Sequence, residues 1–457
     1  MKYRILFPVL LLLAASCGTE VGPDPGRESP EGKAVLEGKL RLAGEYLESG
    51  RVGGAESLFR EVLRSDPDSA DAAAGLARVY LLTGRTAEAI RSGKNAVRLD
   101  PLRAAAWEDL GRAQTREGRL EDAVWSLRKA VQIEPGNVNY LNELGVTLGK
   151  VGLYQEAITA LADAVELDPD FPEALNNLAM ARFQAGEPDR AEELLDRALE
   201  VSPDYPKAHL NRGLIRRDRG ENDLALQSFA EAIRLDPDLI PAYVLAGTVH
   251  YENGRFPEAR EAYAAILERA PDFAPAYIRL GEVALRLEET GEAVKLLEKA
   301  IELAPREPAS YALLSRARLK RGEYEQAGTA ILWSLNLDPD NPDYYRQAAE
   351  LFLARDRWRE AENALSRAGE IDPENPEILL DLGRLYLRIR QPDRGREVLE
   401  QAIALDPEGE AGLSARQELD RLEGVGGPTP AEATGKQEHF WETVFDRIHL
   451  SPTPAGE

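Results

Sequence analysis

One thiol, four imidazoles and 80 carboxylates are the groups in this 457-residue sequence from which catalysis or metal binding could be built. Their spacing argues against both. His209 and His250 lie 41 residues apart, and His439 and His449, ten apart, would face different sides of a helix, so no imidazole pair has ligand spacing. With Cys17 as the single cysteine, neither an intrachain disulfide nor a cysteine-based metal cluster can form. The carboxylates are spread along solvated stretches, which is not the same as a paired acid and base in a cleft. No glycine-rich stretch has the form of a phosphate-cradling loop. The expectation is a protein that is not an enzyme, with no catalytic residue, no metal and no cofactor. A formal net charge of −24, from 80 acids against 56 Lys and Arg, opposes attraction to nucleic acid, which is not expected as a partner.

The setting of Cys17 is more informative than its number. The chain opens MKYRILFPVLLLLAASCGTE, in which Lys2 and Arg4 precede an apolar run from Ile5 to Leu13 and the small residues Ala14, Ala15 and Ser16. Residues 1–16 read as a secretory signal, too short for a stable membrane span. Small residues ending on a cysteine resemble the lipobox of bacterial lipoproteins, and that resemblance implies cleavage before Cys17 and lipidation of its thiol. The alternative is a plain signal peptide followed by an incidental cysteine. Each buried acyl CH₂ contributes about 0.8 kcal/mol, so several chains would hold even an acidic protein at a membrane surface. Gly18 and Thr19 lack the Asp that retains enterobacterial lipoproteins in the inner membrane, so the resemblance implies a lipid-anchored envelope protein at the outer membrane, facing the periplasm. Residues 17–35, rich in Gly, Pro and acids, read as a flexible tether.

The dominant signal is a period of 34. Pro67, Pro101, Pro135, Pro169, Pro203, Pro237, Pro271, Pro305, Pro339, Pro373 and Pro407 follow one another at that interval. The same shift aligns Ala55, Ala89, Ala123 and their successors to Ala361, then Gly395, and in another register it aligns small residues from Ala43 to Gly383. One unit, Pro172 to Tyr205, shows the physics. Leu175, Leu178, Ala179 and Phe183 recur at helical spacing, Gly186 and Pro188 interrupt, and Ala191, Leu194, Leu195, Ala198 and Leu199 form a second stripe. This predicts helix, turn, helix, with small residues where the helices touch. A single hairpin has more apolar surface than it can bury alone and needs its neighbours.

In this pattern the chain resembles a tetratricopeptide repeat protein, from residue 36 to residue 409, as eleven units without a gap. The resemblance implies an all-α, right-handed superhelix whose first helices line a concave groove. Gly93 departs from the pattern where most units carry Leu or Phe, and Glu288, Asp356 and Arg390 replace the turn glycine. Residues 410–423 continue as a polar-faced helix that would cap the stack.

Groove positions follow from register. The ninth and thirteenth residues of a unit lie one turn apart on one helix face, and they are Arg112 and Arg116, Arg316 and Lys320, and Arg384 and Arg388 in the third, ninth and eleventh units. Arg78, Lys150 and Arg286 add single charges. This basic stripe either recruits an acidic segment or is a solvated face paired with Glu48, Asp218, Glu252, Glu282 and Glu350 at equivalent positions. In mid-groove, Asn176, Asn177, Lys207 and Asn211 lie beside Met180 and Phe183. Such amides either bond the backbone of an extended ligand or bridge neighbouring helices. Of the family's carboxylate clamp for C-terminal acidic peptides, only Lys207 and Asn211 remain, a fragment that does not support that mode.

After a linker, residues 424–436, and before a short tail, residues 451–457, the stretch 437–450 places Phe440, Trp441, Val444, Phe445 and Ile448 on one side of a helix opposite Glu442, Asp446 and Arg447. An amphipathic helix with so little positive charge suits a protein groove, in cis or in trans, better than anionic lipid. The expected function is a membrane-anchored scaffold or adaptor that binds a protein or peptide partner, acidic or extended, and supports assembly of an envelope complex. The competing readings are a self-associating spacer without cargo and a non-catalytic subunit of an envelope enzyme.

Overall fold

In the computed structural model, residues 30–424 are described, and over these residues the chain is all-α, with 23 helices and no strand. The helices gather into two compact units, the chain passing from one to the other between Arg219 and Gly220. Unit 1 holds α1 (Pro30–Glu48), α2 (Val52–Ser65), α3 (Ala70–Leu82), α4 (Thr86–Leu99), α5 (Ala104–Arg116), α6 (Leu120–Ile133), α7 (Val138–Val151), α8 (Tyr154–Leu167), α9 (Pro172–Gln184), α10 (Pro188–Val201) and α11 (Pro206–Asp218). Unit 2 holds α12 (Asn222–Leu235), α13 (Ile240–Glu252), α14 (Phe256–Leu267), α15 (Ala274–Arg286), α16 (Thr290–Leu303), α17 (Pro308–Lys320), α18 (Tyr324–Leu337), α19 (Pro342–Leu353), α20 (Trp358–Ile371), α21 (Pro376–Arg388), α22 (Pro392–Leu405) and α23 (Glu410–Gly424). Because α1 starts at Pro30, residues 30–35 are helical rather than part of a tether.

Each structural feature of the repeat has a sequence cause. Pro172, Pro206, Pro308, Pro342 and Pro376 are the first residues of their helices, where a missing N–H costs nothing. The second helix commonly ends at the residue before the period proline, Asp66, Asp100, Glu134 or Ser202 for example, since that residue is pushed out of the helical region. Between the two helices the chain turns through a left-handed residue. At three turns of unit 2 that residue is Glu288, Asp356 or Arg390, with φ of 61°, 55° and 60°. They take up the backbone of the glycine they replace.

The aligned alanines from Ala55 to Ala361 are each 0% exposed and sit at the contact between the paired helices. Gly93, off-pattern in sequence, has a packing reason: a Cβ there would stand 3.2 Å from Cβ of Leu110, so α4 passes α5 at a distance that a side chain fits only if its neighbour gives by a few tenths of an ångström. Within each unit, first helices of successive repeats touch one another, as α3 does α5 and α17 does α19, while no such contact joins successive second helices to the same extent. The faces of the first helices are therefore crowded together, and their side chains meet across repeats.

Candidate functional site

Across the first helices of unit 1, polar side chains 35 residues apart bond in register. Asn177 on α9 donates its Nδ2 to Oδ1 of Asn142 on α7 at 2.9 Å, and Asn211 on α11 donates to Oδ1 of Asn176 at 2.8 Å. Asn176, buried, also donates to Asn177 at 3.3 Å, so four amides form one ladder across three helices. These asparagines bridge neighbouring helices. Lys207 is exposed beside the ladder, and Met180 and Phe183 are half-buried, Phe183 against the apolar core of the unit. The sequence signal for Asn142 was there: a polar residue at the fifth position of one repeat meets one at the sixth position of the next.

The basic residues of unit 1 are held in a different way. Arg78 places Nε 3.2 Å from Oδ2 of Asp109 and Nη2 3.5 Å from Glu108. Arg112 reaches Glu108 at 3.2 Å and Glu143, 35 residues further on than Glu108, at 3.9 Å. Arg116 donates to the carbonyl of Leu81. Glu108 and Asp109 are buried. Burial, and then the adjacent Asp109 charge, push the Glu108 carboxyl up to about 6, against the pull of Arg112 and Arg78. Asp109 is raised too, by burial, with Arg78 opposing. The positive half of the stripe in unit 1 is thus consumed internally, except for Lys150, which is exposed.

Unit 2 carries a cleft of about 530 Å³, lined among others by Arg316, Arg346, Gln347, Leu353, Arg384 and Arg388, from α17, α19 and α21. Arg346, unnoticed in the sequence, is the most heavily engaged. It bonds Asp381 at 2.9 Å, again 35 residues on, and also Asp343 and Glu377. Asp381 is raised by burial, with Arg346 opposing. Arg384 pairs with Glu418 of α23 at 3.2 Å. Arg316 has only an amide partner: with the Gln347 amide oriented to satisfy both its ends, Nη2 of Arg316 donates to it at 3.2 Å. Arg388 lies over the Trp358 ring, 4.5 Å from its centroid, and Lys320 is exposed. Among the described residues Arg316, Lys320 and Arg388 have no carboxylate within ion-pair distance. Arg286, in the same unit, donates to the Tyr251 hydroxyl at 2.8 Å.

The carboxylates that engage the stripe are therefore Glu108, Asp109, Glu143 and Glu418, not the residues at equivalent positions. Glu282, one of those, accepts instead from the Tyr251 hydroxyl and pairs with Arg279. The described imidazoles have structural surroundings. Pro203 O lies 2.9 Å from Nε2 of His209, and since a carbonyl only accepts, that nitrogen carries the proton. Trp107, Tyr277 and Tyr311 make the corresponding bond to Pro101, Pro271 and Pro305 at 2.9, 3.0 and 3.0 Å, so at these four junctions a ring N–H or phenolic hydroxyl six residues after the period proline ties the turn. His250 is lowered by burial and then by Arg255, and its Nδ1 is buried without a partner. Among the described residues no group of His, Cys, Asp and Glu is arranged to hold a metal, and no helix is long and apolar enough to cross a membrane. Cys17 and the apolar set Phe440, Trp441, Val444, Phe445 and Ile448 lie outside the described residues.

Residues 46–92, and residues 94–138, 142–199 and 177–240, match two tetratricopeptide repeat families, and residues 219–423 match the family described as the cilia and flagella-associated protein 70 C-terminal domain. Among solved structures the chain is similar to MamA at 30% identity, covering 35% of this chain and 95% of that one, with a TM-score of 0.31. It is similar to a tetratricopeptide repeat protein from Parabacteroides merdae at 22%, covering 55% and 98%, with a TM-score of 0.44. Yeast Tom70 is 16% identical, covering 86% and 96%, with a TM-score of 0.43. No curated protein matches the chain.

Proposed function

Because the chain belongs to the tetratricopeptide repeat family, we propose that it is a non-catalytic scaffold for protein–protein interaction, anchored by lipid at Cys17 and holding an acidic partner segment against the first-helix face of unit 2. The observation that carries the choice of surface is the contrast in charge pairing. In unit 1 Arg78 and Arg112 are paired with carboxylates, Glu108 and Asp109 among them buried, and Arg116 is held by a backbone carbonyl, whereas among the described residues Arg316, Lys320 and Arg388 of unit 2 have no carboxylate partner. Unpaired cations on a chain of net charge −24 give a local attraction that the rest of the molecule does not. The Asn142–Asn177 and Asn176–Asn211 bonds leave those amides largely committed to one another, which favours unit 2 over the amide ladder.

The anchoring part of the reading is supported by Ala14-Ala15-Ser16-Cys17 and places the scaffold in the cell envelope, at the outer membrane facing the periplasm, in the assembly of an envelope complex. Crosslinking in the native envelope followed by recovery of the chain tests the whole. A defined heterologous partner, lost when Arg316 and Arg388 are reversed, supports it; contacts only between copies of the chain defeat it. Cys17→Ala is expected to abolish lipid labelling and release the protein from membranes, and retention without label in the parent would overturn the anchor.

A further inference from the structure

We propose that the cleft of unit 2 is occupied in cis by the segment 437–450 of the same chain, so that a partner must displace this segment to bind. The inference rests on the reading of that cleft as a recognition surface. Three observations point to this occupant. The first is charge. The rim offers Arg316 and Arg388 without carboxylate partners, with Lys320 one turn beyond Arg316, while Asp343 and Asp381 are engaged by Arg346 and only Glu350 opposes. The segment carries Glu438, Glu442 and Asp446 against Arg447. The second is shape and polarity. Leu353, half-buried, stands with the deeply buried Leu365 and Leu385 beneath the arginines, and a volume of about 530 Å³ lies within the range of about 300–1,000 Å³ that encloses a small ligand, enough to take aromatic side chains such as Trp441 and Phe445. The third is reach. Arg384 on the rim bonds Glu418 of α23, and the helix runs only six residues further, about 9 Å, to Gly424. Only twelve residues, 425–436, separate that point from the segment, and twelve residues can reach at most about 40 Å, so the segment starts within reach of the rim.

The test uses the full chain with Cys17→Ser and one cysteine pair added. Phe445→Cys is combined with Leu353→Cys, with Gln347→Cys as a second cleft position should Leu353→Cys perturb folding, and with Met180→Cys as a comparison on unit 1. Circular dichroism checks each fold, and copper phenanthroline is the oxidant in dilute solution. The expected result is an intramolecular disulfide at the cleft positions, formed about tenfold or more faster than with Met180→Cys and slowed by Arg316→Glu with Arg388→Glu. Equal rates at the cleft and at Met180, no disulfide at either cleft position, or disulfides only between chains would overturn docking in cis. A fluorescent peptide of residues 437–450 separates the two readings. If it binds a chain carrying Trp441→Ala and Phe445→Ala but no cis disulfide forms, the inference fails and the cleft remains a binding surface; if it binds nothing, both fail.

Discussion

A Cβ placed on Gly111 would stand 2.6 Å from Cγ of Leu127 and 3.0 Å from its Cδ2, so α5 and α6 meet at a distance that only glycine permits. Leu127 is fully buried, and Cγ is not the free end of the side chain, so it has nowhere to go. Gly111→Ala gains roughly 1 kcal/mol of helix propensity and loses roughly 1–3 kcal/mol to overpacking. The clash wins, and a net loss of up to about 2 kcal/mol is expected in thermal or urea unfolding of the full chain. No loss would mean that the two helices separate at no cost.

The three turns without glycine predict the opposite sign. Glu288, Asp356 and Arg390 stand at positive φ, which costs an L-residue roughly 1–2 kcal/mol relative to glycine, partly offset by the greater entropy that glycine loses on folding. Glu288→Gly and Arg390→Gly should each stabilise by about 0.5–1 kcal/mol. Asp356→Gly should gain less, because Asp tolerates this region better. Hydrogen exchange at α15 and α16, and at α21 and α22, would localise the gain; a loss in both cases would show that these side chains hold their turns by contacts worth more than the backbone strain.

How much of this could be read in advance depended on the kind of information each feature needs. The helices, their pairing and the fully buried alanines follow from a 34-residue period, because period and small size are local properties of the sequence. The departures at Glu288, Asp356 and Arg390 were visible for the same reason. What was not legible was which charges meet. A ninth-position arginine looks the same in the third unit as in the ninth, yet Arg112 bridges Glu108 and Glu143 while Arg316 meets only an amide. The difference is set by residues 31 and 35 positions away, and by Arg346, which carried no signal until its bond to Asp381 was seen. A rule that joins the fifth position of one repeat to the sixth of the next would have found Arg346–Asp381 and read the asparagines as a ladder between helices, while Arg112–Glu143 needs a second rule, from the ninth position to the sixth of the next repeat.

Glu108 makes a prediction about pH. Its carboxyl rises from an ordinary 4.5 to about 6 in the folded protein, chiefly through burial, so the folded state holds this proton more tightly than the unfolded one. The contribution is fully present below about pH 4.5 and is lost as pH rises through 6, a change of roughly 2 kcal/mol at about 1.4 kcal/mol per unit. Glu108→Gln removes the charge and therefore the dependence. It should match the parent near pH 4.5 and exceed its stability by up to about 2 kcal/mol at pH 7, read as a difference in melting temperature that opens between those values. A constant difference across the range, or a variant weaker at pH 7, would show that Arg78 and Arg112 more than offset the burial.

Charge reversal should separate the two halves of the basic stripe by what it damages. In unit 1, Arg112 touches two carboxylates, one of them buried, and Arg112→Glu would put a fourth carboxylate among Glu108, Asp109 and Glu143. Breaking such a pair costs about 3–5 kcal/mol when fully buried, and the partial exposure of Arg112 brings this to roughly 2–3 kcal/mol, so stability should fall. In unit 2, among the described residues, Arg316, Lys320 and Arg388 support no carboxylate, so their reversal should lower stability by only about 0.5–1 kcal/mol, the loss of the Arg388 contact with the Trp358 ring. Binding of a fluorescent poly-glutamate peptide should instead weaken, by roughly tenfold per arginine, or about 1.4 kcal/mol, and its salt dependence should flatten as the attraction is removed. Truncating the segment 437–450 in the same protein should strengthen that binding if the cleft is occupied in cis. If Arg112→Glu abolishes peptide binding without loss of stability, or if the unit 2 reversals unfold the protein and leave salt-sensitive binding intact, then the division between a structural and a recognising face is reversed, and partner recognition belongs to unit 1.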